Sequence, residues 1–336
     1  MLKRLFGFYI VGLLLLSCAG NAQENVHEVD VRKDNEYRIV SYNVENLFDV
    51  YDDSLKRDGE FTPDGAKHWD KRKFYQKLNN IYTVIAAVGG WSMPEYVGLS
   101  EVENRYVIEQ LLKHTPLENT PYGIVHYESP DRRGIDVAAL YNKDKMTLLG
   151  SETLPIIFPY DTTRRTRDVL VSTFQLKYGP VIHIYQCHWP SKWGGVLKTD
   201  PARAYVGEVI KNHSDSIIKA NPLANIIVTG DLNDSPKDES VFRHLGAVYE
   251  EGKKGNLYDI SFNMTETKGT HKYRNEWSVI DHIIVSSALK EGTGGISLNT
   301  PKAHVFVDDF LVEEDDRYMG IKPYRTYLGM RYHGGY

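Results

Sequence analysis

The alternation of short apolar runs with helical patterns is the feature that most constrains this chain. From Tyr37 onward the sequence reads YRIVSY, then WDKRKFYQKLNNIYTVIAAVG, then YVGLS, then NRYVIEQLLKH. Strand-like runs that alternate with helices indicate a layered α/β fold. Further strands are predicted at YGIVHYE, IDVAALYN, DVLVSTFQLK, PVIHIYQC, NIIVTG and VIDHIIVS, so that strands outnumber helices.

A longer helix is predicted over 201–220, with Asp200 placed to cap it and Pro201 at its first position. The chain has 336 residues, of which 41% are hydrophobic, and this is enough for a large core. The sequence shows no internal repeat. We therefore expect one folded domain over 37–336.

The N-terminus has the pattern of an export signal. It reads MLKRLFGFYIVGLLLLSCAG, with a basic start and an apolar run from Leu5 to Leu16 that is short for a membrane span. Leu-Leu-Ser-Cys is similar to the lipobox of bacterial lipoproteins, which predicts a signal peptide over 1–18 and lipidation of Cys18. Cleavage near Ala22 is the alternative. Residues 19–36 are polar and suit a flexible tether. We expect an exported protein, either a periplasmic or outer-membrane lipoprotein or a secreted one.

The charge balance argues against general attraction of polyanions. The formal net charge is −5, and loss of Lys3 and Arg4 with the signal takes it to −7. A nucleic acid must then meet a local basic patch. The candidates for substrate contact are Arg133, Arg164 and Lys192, which lie in or beside small basic clusters. The chain has two cysteines, and the second, Cys187, is expected to pack in the core.

Polar side chains able to bind metal or phosphate follow several of the predicted strands. They are Asn43 and Glu45, then Glu101, then His188, then Asp231 and Asn233. Four such strand ends suggest one shared rim, and ligands bind at that rim in layered α/β folds.

The residue types at these strand ends favour metal-assisted hydrolysis of phosphate esters. The sequence contains no zinc-type Cys/His cluster, no phosphate loop of the P-loop type and no nucleophile elbow. Carboxylates with amide oxygens suit Mg²⁺ or Mn²⁺. Asp231 is a candidate base for the attacking water, and His188 a candidate donor to a phosphate oxygen. Asn43 and Asn233 would bind the same phosphate or orient Asp231.

Six motifs, in order, resemble those of the endonuclease/exonuclease/phosphatase superfamily over about Tyr37 to Tyr336. They are SYNVENLFD, GLSEVEN, RGIDVAALYN, CHWPSKWGG, GDLNDSP and VIDHIIVS. The resemblance implies a four-layer α/β sandwich of two mostly antiparallel packed sheets flanked by helices. It implies Glu101 as principal metal ligand, with Asn43 and, less strongly, Glu45. It assigns His188, Asp231 and Asn233 to the phosphate and the attacking water, and Asp281 to orienting a histidine near the C-terminus.

The end of the chain departs from this pattern. Relatives end with Ser-Asp-His and a short strand, whereas this sequence stops at RTYLGMRYHGGY. We expect that the natural protein continues past Tyr336. Neither His282 nor His333 is expected to substitute for the missing histidine, because geometry rather than residue type decides that role.

The resulting hypothesis is an exported, monomeric, Mg²⁺- or Mn²⁺-dependent phosphodiesterase without an organic cofactor, most simply a nuclease of DNA or RNA. A phosphomonoesterase or a phospholipase of the same fold, acting on inositol phosphates or sphingomyelin, is the nearest alternative. A lipid-anchored surface protein that binds without catalysis is the alternative from another class.

Overall fold

The computed structural model describes residues 12–17, 33–250, 252–262, 264 and 269–336. Cys18 and most of the predicted signal peptide and tether lie outside this range. Strands and helices are numbered along the chain. None of the helices in the described ranges is both long and apolar enough to cross a membrane.

The first sheet is mixed, with one parallel strand pair. Its members are β1 (Gly12–Ser17), β2 (Tyr37–Leu47), β3 (Tyr96–Val102), β4 (Tyr122–His126), β5 (Asp136–Asn142) and β15 (Ser297–Leu298). The order across the sheet is β15-β1-β2-β3-β5-β4. Among the described residues, β2 and β3 form the one parallel pair of this sheet. Strand β1 belongs to the predicted signal peptide, and its removal would open the edge of β2 with which it pairs.

The second sheet has seven strands. They are β6 (Met146–Leu154), β7 (Val169–Leu176), β8 (Val181–His188), β9 (Asn225–Asp231), β10 (Ala247–Val248), β11 (Leu257–Asp259) and β14 (Asp281–Ser286). The order is β10-β11-β14-β9-β8-β7-β6, with parallel pairing for β8–β9 and β10–β11. Three hairpins lie outside both sheets. They are β12 (His271–Tyr273) with β13 (Glu276–Ser278), β16 (Val312–Glu314) with β17 (Ile321–Pro323), and β18 (Tyr327–Leu328) with β19 (Arg331–Tyr332).

Four α-helices occur in the described ranges. They are α1 (Lys71–Gly89), α2 (Arg105–Lys113), α3 (Val196–Ala220) and α4 (Ser287–Glu291). Short 3-10 turns lie at Gly59–Phe61, Pro116–Asn119 and Asp309–Leu311, and a π-helical turn at Ser240–Leu245. The predicted start of helix α3 at Pro201 was wrong. The helix begins at Val196, and the Asp200 side chain bonds Arg203 instead of capping the helix.

Three apolar clusters define four layers. One cluster lies between the sheets and includes Ile39, Phe174 and Ile283. A second packs α1 and α2 on the outer face of the first sheet. The third packs α3 on the outer face of the second sheet and includes Cys187, as predicted. The order helix, sheet, sheet, helix confirms the predicted four-layer sandwich with two mostly antiparallel sheets.

Candidate active site

Strand register brings the predicted polar residues to one edge of the sandwich. His188 on β8 is the register partner of Asp231 on β9, and Asp231 is the partner of Asp281 on β14. In the other sheet, Asn43 on β2 pairs with Ser100, the residue before Glu101. The ends of five strands therefore meet where the two sheets face each other. This rim is the candidate active site.

Asp231 is held at the centre of the rim by two donors. The Asn43 side-chain amide donates to its Oδ2 at 3.1 Å, and the backbone N–H of Asn233 donates to its Oδ1 at 2.9 Å. The Asn233 amide in turn donates to the Trp189 carbonyl at 3.1 Å. Asp231 is 6% exposed, so these bonds fix a carboxylate that has little contact with solvent.

His188 faces two carboxylates at slightly more than hydrogen-bond distance. Its Nε2 lies 3.8 Å from Glu101 Oε1 and 3.9 Å from Asp231 Oδ2. Its buried Nδ1 has no hydrogen-bond partner among the described residues. Burial, together with the charges of Arg167 and Arg133, holds the pKa of this imidazole well below its usual range. The ring is therefore neutral near pH 7, with one N–H to donate.

Arg167 positions the backbone beneath His188, a role that the sequence did not reveal. Its guanidinium donates to the carbonyls of His188 at 3.2 Å and Trp189 at 2.7 Å. It is fixed by an ion pair with Asp131 at 3.2 Å, and both side chains are buried. An ion pair buried beside the rim holds this end of β8 in one geometry.

Four residues at the rim have positive φ angles, a backbone conformation that residues other than glycine rarely adopt. Glu45, Asn46, Glu101 and Asn233 have φ values of 50°, 61°, 65° and 55°. At Glu101 this conformation coincides with a register shift between Ser100 and Val102, which is a β-bulge. The bulge lets Glu101 face His188 while Val102 packs in the core under α1 and α2. Such strained positions concentrate at functional sites.

The crowding of carboxylates makes this rim a suitable site for a cation. Burial and the neighbouring Asp281 and Glu101 raise the pKa of Asp231. Burial also raises the pKa of Asp281, and the nearby Thr270 side chain opposes this rise. In the described part of the chain no lysine or arginine forms an ion pair with Glu101, Asp231 or Asp281. Hard divalent cations prefer oxygen donors of this kind, so the residues present fit Mg²⁺ or Mn²⁺.

The two histidines near Asp281 are engaged elsewhere. His282 lies on the opposite side of β14, where Nδ1 bonds Asp259 Oδ2 at 2.7 Å and Nε2 bonds the Asp234 carbonyl at 2.8 Å. His333 Nε2 bonds Glu313 Oε2 at 2.7 Å. Neither ring is placed to pair with Asp281, in agreement with the expectation from sequence.

Two of the other predicted site residues lie close to the rim. The Glu45 carboxylate bonds the Arg325 side chain and accepts the Thr326 N–H at 3.0 Å, so it holds the C-terminal segment in this structure. Arg133 reaches the Asn46 side chain at 2.6 Å, and its charge acts on His188.

The remaining two predicted substrate contacts are engaged by other groups. Lys192 forms ion pairs with Asp234 at 2.9 Å and Asp238 at 3.0 Å. Arg164 stacks over the Phe158 ring at 5.0 Å and does not line the cavity at the rim.

A cavity of about 540 Å³ opens from the rim. Its floor includes Asn43, Glu101, Asp231 and Asp281. Its outer wall comes from the β12–β13 hairpin and from residues 311–325, none of which was predicted to belong to the site. The basic side chains of this wall are those of His271, Lys272, Arg274, Arg317, Lys322 and Arg325.

A profile of the Endonuclease/Exonuclease/phosphatase family matches residues 38–336. The chain belongs to this family. No curated protein sequence matched the chain. Among solved structures, ANGEL2, a 2′,3′-cyclic phosphatase in complex with adenosine-2′,3′-vanadate, is similar over 86% of this chain and 88% of its own, with 15% identity and a TM-score of 0.50.

Two further structures are similar to this chain. The similarity to the catalytic domain of human Nocturnin covers 70% of this chain and 85% of the Nocturnin chain, with 17% identity and a TM-score of 0.47. The similarity to truncated TDP2 from Caenorhabditis elegans covers 66% of this chain and 80% of the TDP2 chain, with 18% identity and a TM-score of 0.47. The family match confirms the resemblance seen in the six motifs. This family member is a phosphoric ester hydrolase, and enzymes of the family generally use divalent metal ions.

Proposed function

We propose that this hydrolase is a Mg²⁺- or Mn²⁺-dependent phosphodiesterase that cleaves DNA or RNA. The observation that carries the proposal is the convergence of Glu101, His188 and Asp231, with the carboxylates 3.8 and 3.9 Å from one imidazole nitrogen. A phosphate seated there meets a base, a neutral hydrogen-bond donor and a cluster of oxygen ligands at once. That combination suits water attack on a phosphoester.

Glu101 and the Asn43 side-chain oxygen are the residues that would hold the metal ion. When bound, the ion neutralises charge on the phosphate. The Asn43 oxygen already accepts the Glu45 N–H at 3.0 Å and keeps a second lone pair for a ligand. The Asn43 amide nitrogen donates to Asp231, so one side chain sets the spacing between the metal ligands and the base.

Asp231 is the proposed general base. Burial and the nearby Asp281 and Glu101 carboxylates raise its pKa to about 8, so its carboxylate is a stronger base toward water than that of a free aspartate. Its two donors, Asn43 and Asn233, fix the direction of the remaining lone pairs. His188 donates its N–H to a phosphate oxygen, and Arg167 keeps the ring in place through the backbone.

The test measures hydrolysis of bis(p-nitrophenyl) phosphate and of plasmid DNA with Mg²⁺, Mn²⁺ or EDTA. We expect turnover with either metal and none with EDTA. Asp231→Asn should lower kcat by about 10²- to 10⁴-fold, the usual contribution of a general base. Glu101→Gln should in addition raise the metal concentration needed for activity.

Asp144→Asn is the matched control, because Asp144 is exposed in the turn between β5 and β6. It should behave as the wild type. Absence of metal-dependent turnover on both substrates would overturn the proposal. Cleavage of p-nitrophenyl phosphate in preference to the diester would favour the phosphomonoesterase alternative instead.

We also propose that the protein is exported and anchored through lipid on Cys18, and that it acts as a monomer. The N-terminal sequence supports the first two points. A location outside the cytoplasm suits an enzyme that degrades nucleic acid, because the cell's own nucleic acid is then out of reach.

A further inference from the structure

The cavity separates two kinds of charge. The floor carries the carboxylates of Glu101, Asp231 and Asp281, and the outer wall carries cations. The proposed function places the metal ion and the scissile phosphate on the floor. The wall therefore needs an explanation of its own.

The wall is a fixed structure, because buried contacts join its two parts. Lys272 on the β12–β13 hairpin pairs with Asp315 at 2.6 Å, and both side chains are about 95% buried. The same ammonium donates to the carbonyls of Met319 and Ile321 at 3.2 and 3.0 Å. Asp315 also accepts the backbone N–H groups of Arg317 and Tyr318, which shapes the turn that presents Arg317.

Most cations of the wall are neutralised within the protein. Lys272 is paired with Asp315, Arg325 with Glu45, and Lys322 with Glu313. Arg274 and Arg317 differ, because neither guanidinium forms an ion pair with a carboxylate of the described residues. Each is exposed and lies 5.2 Å from the centre of the tyrosine ring that precedes or follows it in sequence. These two side chains line the cavity with guanidinium groups that no carboxylate of the described residues pairs.

We propose that Arg274 and Arg317 form a subsite for a second phosphate of the substrate. The inference rests on the proposed function, since it takes the scissile phosphate to lie on the floor. A planar guanidinium group can bind two oxygens of one phosphate through two parallel hydrogen bonds. Stacking on Tyr273 and Tyr318 restricts the motion of the two arginine side chains. The favoured substrate then carries at least two phosphates, one hydrolysed and one bound at the wall.

The experiment compares two dinucleotides that differ by one phosphate, TpT and pTpT. For the wild type, we expect KM for pTpT to be about tenfold lower than for TpT, the effect of one charge-assisted interaction of about 1.4 kcal/mol. The double variant Arg274→Ala/Arg317→Ala should lose this preference while its kcat/KM on bis(p-nitrophenyl) phosphate stays within about twofold. Arg164→Ala is the control, because Arg164 is a surface arginine on an aromatic ring outside the cavity.

Binding of both dinucleotides is also measured calorimetrically in EDTA, so that the result does not depend on turnover. Weaker binding of pTpT alone in the double variant supports the subsite even if the diesterase assay fails. Unchanged binding and unchanged preference in a folded double variant overturn it. A parallel arm with inositol monophosphate and bisphosphate identifies the source of the second phosphate. A preference confined to the inositol pair assigns the subsite to small polyphosphorylated esters instead of nucleotide chains.

Discussion

The location of a side chain at the rim could be predicted from sequence where the end of a strand determines it. Asn43, Glu101, His188, Asp231 and Asp281 all follow from the ends of readable strands, and the register brings them together. Long charged side chains were harder to place, because their partners are distant in sequence. Glu45 bonds residues 280 positions away, and Lys192 bonds carboxylates more than 40 positions away. No local pattern encodes such pairs.

The buried pair of His282 and Asp259 gives a prediction for stability against pH. Burial opposes the charged form of His282, but Asp259 and the Asp234 carbonyl raise its pKa overall. A histidine whose pKa is higher in the folded state than in the unfolded state stabilises the fold. This stabilisation is complete at pH values below the unfolded-state pKa, near 6.5, and is lost as the pH rises through the folded-state pKa. Asp259→Asn should therefore cost about 3 kcal/mol of unfolding free energy at pH 6, and less at pH 9.

Urea unfolding at pH 6, 7.5 and 9 measures this difference between wild type and variant. Ser261 also bonds Asp259 through its backbone N–H, and asparagine retains that acceptor. A cost that stays equal at all three pH values would show that the pair carries no pH-dependent stability.

Elements with clear periodicity were predicted well. The helices α1 and α2 and the eight apolar strands named from sequence are present, since a buried face imposes its period on the residues. The start of α3 was wrong because Pro201 fits inside the helix, within its second turn. The short hairpins of the wall were missed, because strands of two or three residues leave no periodic signal. The β-bulge at Glu101 was also not visible, since it depends on pairing with two neighbouring strands.

The backbones of β8 and β9 leave no room for a side chain at Gly230, which gives a prediction at this scale. Its φ is 132°, and a Cβ there would lie 2.0 Å from the Cys187 carbonyl oxygen. Gly230→Ala should lower the unfolding free energy by about 3 kcal/mol through strain and overpacking together. It should also reduce activity, because Asp231 is the next residue.

Gly150→Ala is the matched control, because Gly150 lies in a strand of the same sheet and a Cβ there meets nothing within 4 Å. Alanine should be neutral or slightly stabilising at that position. Equal unfolding midpoints for the two variants would contradict the argument.

For the whole molecule, the sequence motifs gave the sandwich and its layers, and the structure confirms both. The outer wall of the cavity was not predicted, because residues 270–274 and 311–325 acquire their shape from contacts with each other, such as Lys272 with Asp315. The proposed subsite for a second phosphate therefore lies in a part of the chain that is hard to read from sequence.

The proposed anchor gives a prediction for the whole protein in its natural host. Wild-type protein should take up radiolabelled palmitate and sediment with membranes. Cys18→Ser should abolish the label and shift the protein to the soluble fraction. Cys187→Ser is the control, since Cys187 is fully buried in the core. Labelling that persists in Cys18→Ser, or fails in the wild type, would exclude lipidation at this residue.

The position of the outer wall late in the chain bears on biosynthesis. Strands β2, β3, β8 and β9 leave the ribosome before Asp281 and before the segment that Asn80 holds by its bonds to Gly334 and Gly335. A nascent chain that has not yet reached residue 270 thus has Asn43, Glu101 and Asp231 of the floor but neither Asp281 nor Arg274 and Arg317. The cavity therefore gains its outer wall only after most of its floor has been synthesised.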